Sequence, residues 1–286
     1  MSSSFEIKSF DKISFDEIFE THLKAFKDYP FQWSKESLKK TIERRGYDAS
    51  ISFGAFYKNE LVSFTLNGAG NFNGIRTIYD TGTGTVQEHR GKGLASRIFE
   101  YSVAFLKATG AQQYILEVLE ENEKAVSVYT KQGFIVSRKF DCFRVNTDDW
   151  KIDATKSDQF ELREINFSFK PQMKNMIDFN LSWQNNFQAL LRQPDNFKVI
   201  GAFHQSNLAA YGIIEPETGD ISQLAVDKNF RRKGIGTMLL NELKKINRAA
   251  IAKVVNIESN QEAIISFMAK NGIPKIVSQY EMIKSI

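Results

Sequence analysis

Hydrophobic positions recur along this chain with two periods, and the switches between them lay out its elements. Glu6–Phe10 alternates as a first strand, and Phe15–Phe26 and Lys35–Arg44 carry the apolar spacing of amphipathic helices, the second with Ser34 as its cap. Ile51–Tyr57 and Leu61–Asn67, separated by Lys58-Asn59-Glu60, read as a hairpin. A strand from about Arg76 to Val86 runs into a glycine turn. Leu94–Lys107 continues as a helix with Leu94, Ile98, Val103 and Leu106 on its apolar side. Tyr114–Leu119 then reads as a buried strand, Glu123–Lys131 as a helix stopped by Gly133, and Phe134–Val145 as closing strand material.

At Asn146–Asp158 the periodicity lapses into a polar stretch rich in Asp and Lys, which reads as a linker. Beyond it the pattern restarts. Gln159–Arg163 is a strand, Pro171–Leu191 helical material, and Lys198–His204, Leu208–Ile214 and Asp220–Val226 are strands, the last again running into a glycine turn. Arg90, Lys92, Gly93 and Ala95 shifted by 141 positions fall on Arg231, Lys233, Gly234 and Gly236, a repeat internal to the chain. The expected organisation is therefore a domain over 1–145, a linker over 146–158 and a second domain over 159–286. Each half is long enough to bury its own core.

Composition narrows the class. Of 286 residues, 42% are hydrophobic and 25% charged, which marks a globular chain, and 24 Phe point to aromatic cores. A net charge of +4 suits an anionic ligand but is too diffuse for nucleic-acid binding, since no Lys/Arg stripe lies outside the two turns. No window approaches the ~20 apolar residues of a membrane span, and the N-terminus has no uninterrupted apolar run, so no membrane association is expected. Cys142 is the only cysteine, which rules out a disulfide framework and fits a reducing, cytoplasmic setting. His22, His89 and His204 are too scattered to form a metal site.

The turn itself favours phosphate. Arg90-Gly91-Lys92-Gly93 leaves backbone N–H groups unhindered, and the helix behind it leaves its first N–H groups unpaired at the positive end of its dipole. Arg90 and Lys92 add charge, and Ala95 is small enough for close approach. A Walker loop would need a glycine at Val86 and Ser or Thr after the Gly-Lys pair, and a dinucleotide fingerprint would need a third glycine at Ser96, so both fail. The surviving pattern, [QR]-x-x-G-x-[GA] after a strand and before a helix, resembles the acyl-CoA loop of the GCN5-related N-acetyltransferase (GNAT) family. Both Arg90-Gly91-Lys92-Gly93-Leu94-Ala95 and Arg231-Arg232-Lys233-Gly234-Ile235-Gly236 satisfy it. Leu116-Glu117-Val118 followed by Asn122, Ala125, Tyr129 and Gly133-Phe134 resembles the family's second signature at every spacing.

The resemblance implies an α/β (α+β) fold: two tandem acyl-CoA N-acyltransferase domains, each a mixed, mostly antiparallel sheet flanked by helices. It implies an acetyl-CoA-dependent N-acetyltransferase acting by direct attack of a primary amine, small molecule or peptide N-terminus, in a ternary complex. Acetyl-CoA is expected along Thr85-Val86-Gln87, Arg90 to Ser96 and Asn122, and by the copied turn at Arg231, Lys233, Gly234 and Gly236. An ammonium cannot attack until it loses a proton, so a base is required, and the resemblance places Glu117 in that role. Glu117 alternates with Ile115 and Leu119, where an apolar setting would raise its proton affinity; a salt-bridged strand residue is the alternative. Tyr129 matches the family's general acid for the departing thiolate, and Asn122 would cap its helix and hold pantetheine. Asp80 is an alternative base, in a strand whose Gly82 and Gly84 mark a bulge or close approach.

The second half keeps the loop and loses the chemistry. Val255 or Asn256 stands for Glu117, with Glu258 a displaced alternative, Phe267 or Met268 for Tyr129, and Ile273 for Phe134, so this half reads as a degenerate copy that binds CoA or is only structural. The competing reading for the whole chain is a non-catalytic acyl-CoA sensor or interaction module. Loops near Tyr29–Trp33 and Gly68–Gly74 are expected to select the acceptor.

Overall fold

A computed structural model describes residues 5–28, 32–153 and 158–286, and the chain divides into two compact units. The first takes the chain up to Val118 together with Asn122–Ser137 and Glu281–Ile286; the second takes Leu119–Glu121 and Arg138–Tyr280. The division departs from a simple cut at a linker, because strand residues Arg138–Asn146 fall to the second unit and the last six residues to the first. The stretch read as a linker carries Trp150, which is fully buried in the second unit with its indole N–H donating to the Asn271 carbonyl at 2.9 Å. Its residues 154–157 lie outside those described.

In the first unit the order is β1 (Glu6–Ser9), α1 (Phe15–Ala25), α2 (Lys35–Arg44), β2 (Phe53–Tyr57), β3 (Glu60–Phe72), β4 (Ile75–Thr85), α3 (Leu94–Ala108), β5 (Gln113–Leu119) and α4 (Glu123–Lys131). Side-chain caps fix the helix starts: Ser14 accepts from Glu17 N–H, Ser34 from Ser37 N–H and Asn122 from Ala125 N–H. β1 to β4 pair antiparallel in order, and β5 joins β4 in parallel through the α3 crossover. Two-residue turns with positive φ at both positions, Lys58-Asn59 and Asn73-Gly74, set the hairpin registers. The second of these corrects an expectation: Gly68–Gly74 is not a loop, because β3 runs to Phe72 and turns tightly into β4. The other expected loop, Tyr29–Trp33, has its first three residues outside those described.

The sheet buries apolar residues on both faces, Phe64 and Leu66 against α1 and α2, and Phe53, Val62 and Val86 against Leu94 and Ile98 of α3.

The second unit takes in most of β6 (Ile135–Asn146), then β7 (Glu161–Ile165), α5 (Lys170–Lys174), α6 (Phe187–Leu190), β8 (Lys198–His204), β9 (Asn207–Glu215), β10 (Asp220–Val226), α7 (Ile235–Ile246), β11 (Ile251–Glu258), α8 (Glu262–Lys270) and the start of β12 (Lys275–Ser285). Its strand order is β6-β11-β10-β9-β8-β7. The expected helix over Pro171–Leu191 is replaced by two short helices and a 3-10 turn at Trp183–Asn185. Polar Asn180, Ser182, Gln184 and Asn186 break its apolar period, and Ser182, Gln184 and Asn185 are themselves buried.

Candidate active site

In the first unit the site is created by a strand separation. β4 and β5 pair only at Thr77–Tyr79 against Gln113–Ile115, and then diverge. Asp80–Thr85 form one wall of the resulting cleft and Leu116–Val118 the other. At the split Thr81 is an extra residue against β3, since Asn67 pairs with Asp80 and Leu66 with Gly82. This is the bulge that the glycine-rich stretch led us to expect. It reverses the alternation, so Asp80 and Thr83 point to the same face of the sheet.

A hydrogen-bonded chain occupies that face. Thr83 Oγ1 donates to Asp80 Oδ2 at 2.7 Å, Gly82 N–H donates to Asp80 Oδ1 at 2.8 Å, and the Tyr129 and Thr83 side chains hydrogen-bond. Beside them, Tyr114 donates to Asn67 Oδ1 at 2.6 Å. Burial pushes the Asp80 carboxyl up to about 6, against the opposing effects of the Thr83 and Gly82 donors and the Arg45 guanidinium. Burial, and then the charge of Asp80, hold the Tyr129 phenol far above its ordinary range. The Tyr129 phenol thus stays protonated at any ordinary pH.

Glu117 lies elsewhere in the same cleft. It hydrogen-bonds the Tyr79 phenol, which burial and the charge of Glu117 raise well above its ordinary value. Tyr79 sits opposite Gly68, at whose position a Cβ would meet the Arg45 carbonyl at 2.3 Å, so this face is the one α2 packs on. Arg45 itself donates to the Thr81 carbonyl at 3.0 Å. The cleft therefore has a carboxylate on each face.

At its other end is the glycine turn. Gly91 (φ 76°) and Gly93 (φ 70°) are left-handed, Gly93 is the N-cap of α3, and a Cβ on either would meet nothing within 4 Å. The turn faces open space with the first amides of α3 behind it, and Leu94, buried, pins that helix to the core. Ala95 and Ser96 are half-exposed in its first turn. These features fit an acyl-CoA pyrophosphate. Lys92 is exposed beside His89, with Nζ 3.3 Å from Nδ1.

One expectation is extended and another corrected. The Arg90 side chain, though exposed, donates from Nε to the Thr85 carbonyl at 3.2 Å and from Nη2 to the Ala25 carbonyl at 2.7 Å, so it also fastens the turn to α1. Val86 N–H is bonded to the Val62 carbonyl at 2.9 Å, which removes it from any pairing with pantetheine; Val86 packs against α3 instead. The Thr85 hydroxyl bonds Ser63 at 2.7 Å, and Gln87 is exposed in the short turn that follows. Asn122 caps α4, as its spacing led us to expect.

The second unit repeats the frame. β10 and β11 pair in parallel only at Asp220 and Lys253, Ser222 is the extra residue of the matching bulge, and Gly234 (φ 81°) is the left-handed N-cap of α7. Arg231 repeats the fastening, with Nε donating to the Val226 carbonyl at 3.0 Å and Nη2 2.5 Å from Asp178. Lys233 is exposed near the Phe230 ring, and Gly236 faces Phe267.

Thr83, Tyr79, Tyr114 and Arg45 escaped the sequence reading. Only the glycine-flanked Thr81-Gly82-Thr83 run carried a signal for any of them.

Comparison with known proteins agrees with this frame. Residues 16–134 and 160–273 each match the model of the Acetyltransferase (GNAT) family. An N-alpha-acetyltransferase of Schizosaccharomyces pombe is 34% identical over 64 residues, which is 22% of this chain and 43% of that protein. An uncharacterised N-acetyltransferase of Bacillus subtilis is 42% identical over 48 residues, 17% of this chain and 19% of that protein. The chain thus spans under half the length of the curated relatives it matches. Among solved structures, a tandem GNAT protein from the clavulanic acid biosynthesis pathway superposes with a TM-score of 0.74 at 12% identity, covering 99% of this chain and 98% of that one. A GCN5-related N-acetyltransferase from Sphaerobacter thermophilus does so with 0.73 at 12% identity, covering 98% and 95%. With the family model matched twice across most of its length, the chain belongs to the GNAT family of acetyltransferases as a tandem of two such domains.

Proposed function

We propose that this protein is an N-acetyltransferase that moves an acetyl group from acetyl-CoA to a primary amine, with its active cleft in the N-terminal half. The observation that carries the reading is the β4/β5 separation, which has a left-handed glycine turn at one end and an acid–base set at the other. Gly91, Gly93 and the first amides of α3 would hold the pyrophosphate, with Lys92 adding charge. Acetyl-CoA supplies the activated acyl carbon. Glu117 takes the proton from the attacking ammonium, and Tyr129 delivers one to the departing sulfur. Asp80, through Thr83, fixes where the Tyr129 hydroxyl points.

A second assignment within the same reaction is favoured by the Asp80 carboxyl at about 6, a value suited to a base at neutral pH. If Asp80 is the base, kcat/KM rises with pH through about 6, and the rise vanishes in Asp80→Asn but persists in Glu117→Gln. The first assignment predicts that Glu117→Gln abolishes turnover and that Asp80→Asn retains it. The acceptor class to try first is a peptide α-amine, because one relative is named an N-alpha-acetyltransferase. Incubation with acetyl-CoA and a panel of peptides and small amines, read by mass spectrometry, is expected to show gain of one acetyl group on at least one acceptor. Acetyl-CoA binding without transfer to any of them would favour the sensor reading instead. The C-terminal domain, with Asn256 and Met268 at the positions of Glu117 and Tyr129, takes no part in the transfer.

A further inference from the structure

The C-terminal cleft is not merely the N-terminal one with residues missing; its centre has been rebuilt. A cavity of about 730 Å³ opens between β10 and β11, entirely within the second unit, bounded by the glycine turn, α8 and the segment before Trp183. That volume lies within the usual range for a small-molecule site, ~300–1,000 Å³. Ile221 and Leu224 stand 141 positions after Asp80 and Thr83, on either side of the same bulge. α4 and α8 run over matching spans 139 positions apart, which sets Met268 at the place of Tyr129. The whole hydrogen-bonded chain of the first cleft is thus replaced by three apolar side chains, all of which line the cavity.

The side opposite the turn differs as well. Asn185 reaches across the strand separation: its Nδ2 donates to the Val255 carbonyl on β11 at 2.7 Å, and its own carbonyl accepts from Gln223 Nε2 on β10 at 2.7 Å. Gln223 Oε1 in turn accepts from the Tyr211 phenol at 2.8 Å. The span is therefore tied into the core on both strands. Met176, Ile177, Phe179 and Leu181 complete that wall, with Asp178 among them held by Arg231. An attacking amine would meet no carboxylate at Asn256; Asp178 is already paired, and the remaining wall is largely apolar, where desolvating the amine's charge is costly. Hydrocarbon, by contrast, gains from every methylene it buries there. The glycine turn keeps its anion-binding features, with Lys233 and Arg232 exposed beside the left-handed Gly234 and the first amides of the twelve-residue α7.

We propose that the C-terminal cleft is a dead-end acyl-CoA site that selects acyl chains longer than acetyl, holding the thioester without an acceptor. The site rests on reading the glycine turns as acyl-CoA loops, but not on any turnover in the N-terminal half. Selectivity follows from the apolar floor: about fourfold in affinity per buried methylene, and so on the order of a hundredfold between acetyl-CoA and hexanoyl-CoA.

Calorimetric titration of the full chain with CoA, acetyl-CoA and hexanoyl-CoA tests this directly. Two ligands per chain are expected for hexanoyl-CoA. One of the two sites should bind it at least tenfold tighter than acetyl-CoA, weaken in Lys233→Glu and be unmoved by Lys92→Glu. Leu224→Thr, which restores the polar residue of the first cleft, should shrink the chain-length preference while CoA itself still binds; a thermal melt confirms that each variant is folded. A single site lost in Lys92→Glu and indifferent to Lys233→Glu would overturn the proposal, as would a second site with equal affinity for both thioesters. Amine acetylation that survives Tyr129→Phe with Glu117→Gln and disappears on adding Lys233→Glu would show the second cleft reacting, and would also overturn it. A chain that acetylates amines but binds one acyl-CoA contradicts this proposal and leaves the N-terminal reading intact, whereas a hexanoyl-selective second site without any transfer does the opposite.

Discussion

Replacing Asp80 with Asn should make the protein more stable at neutral pH while impairing its chemistry. In the folded chain burial lifts the Asp80 carboxyl from 3.8 to about 6, so the fold prefers it protonated. A carboxyl raised on folding contributes fully at pH values below 3.8, and that contribution is lost as pH rises through 6. Between those values the slope is one proton, so ionised Asp80 costs about 3 kcal/mol above pH 7 and about 1 kcal/mol near pH 4.5. Asn keeps one oxygen for the Gly82 N–H and sets its Nδ2 at the Thr83 hydroxyl, which turns from donor to acceptor, and it carries no charge. Calorimetric melting at pH 7.5 should therefore rise by about 6–12 °C in Asp80→Asn, and the gain should shrink as pH falls. Only the difference between variant and wild type is informative. His22, buried and lowered to about 4 by burial, has the opposite sign: its stabilisation is present above 6.5 and is lost as pH falls toward 4. A destabilised Asp80→Asn at pH 7.5, or a difference that does not change with pH, would refute the assignment of Asp80 as a destabilising, functional charge.

Further expectations follow from other contacts. Removing the unfavourable acid limb with His22→Gln should hold the melting temperature between pH 6.5 and 4.5 where wild type loses it, measured as the variant-minus-wild-type difference. Arg90→Ala releases the glycine turn from Ala25 and Thr85, so KM for acetyl-CoA should rise about tenfold with kcat little changed, since the loss is of ground-state and transition-state binding alike. Trp150→Ala empties a fully buried indole site and orphans the Asn271 carbonyl, costing about 3–5 kcal/mol and lowering the melting of the second unit, which calorimetry resolves. Gly93→Val forces a left-handed position with open surroundings onto a β-branched residue, so acetyl-CoA binding should weaken with little loss of core stability.

Local rules made much of the frame legible. Helix ends were readable because Ser34, Asn122 and Gly133 each satisfy or free backbone groups at their own positions, and both glycine turns stood out because their repeat is internal to the sequence. What failed was non-local. A strand such as Ile135–Asn146 alternates in the same way whichever neighbour it joins, so nothing in its residues announced pairing with Ile251–Glu258. The Thr81 bulge reverses a face, so simple alternation would have set Thr83 on the wrong side from Asp80. Arg45 reaches the cleft from the end of α2, and Asn185 spans its counterpart in the second unit from a 3-10 turn; neither has a spacing relation to the strands it touches. Arg90 shows a second limit: its charge could be read from the sequence, but its bonds to two backbone carbonyls could not.

The central claim, chemistry in the N-terminal cleft and none in the C-terminal one, is tested most directly by CoA thiol release from acetyl-CoA with an accepting peptide or amine, comparing wild type, Tyr129→Phe and Met268→Ala. The account predicts a fall of ~10²-fold or more in kcat for Tyr129→Phe and a rate within about threefold of wild type for Met268→Ala. A Tyr129→Phe variant that turns over at the wild-type rate, with Met268→Ala folded but inactive, would contradict it.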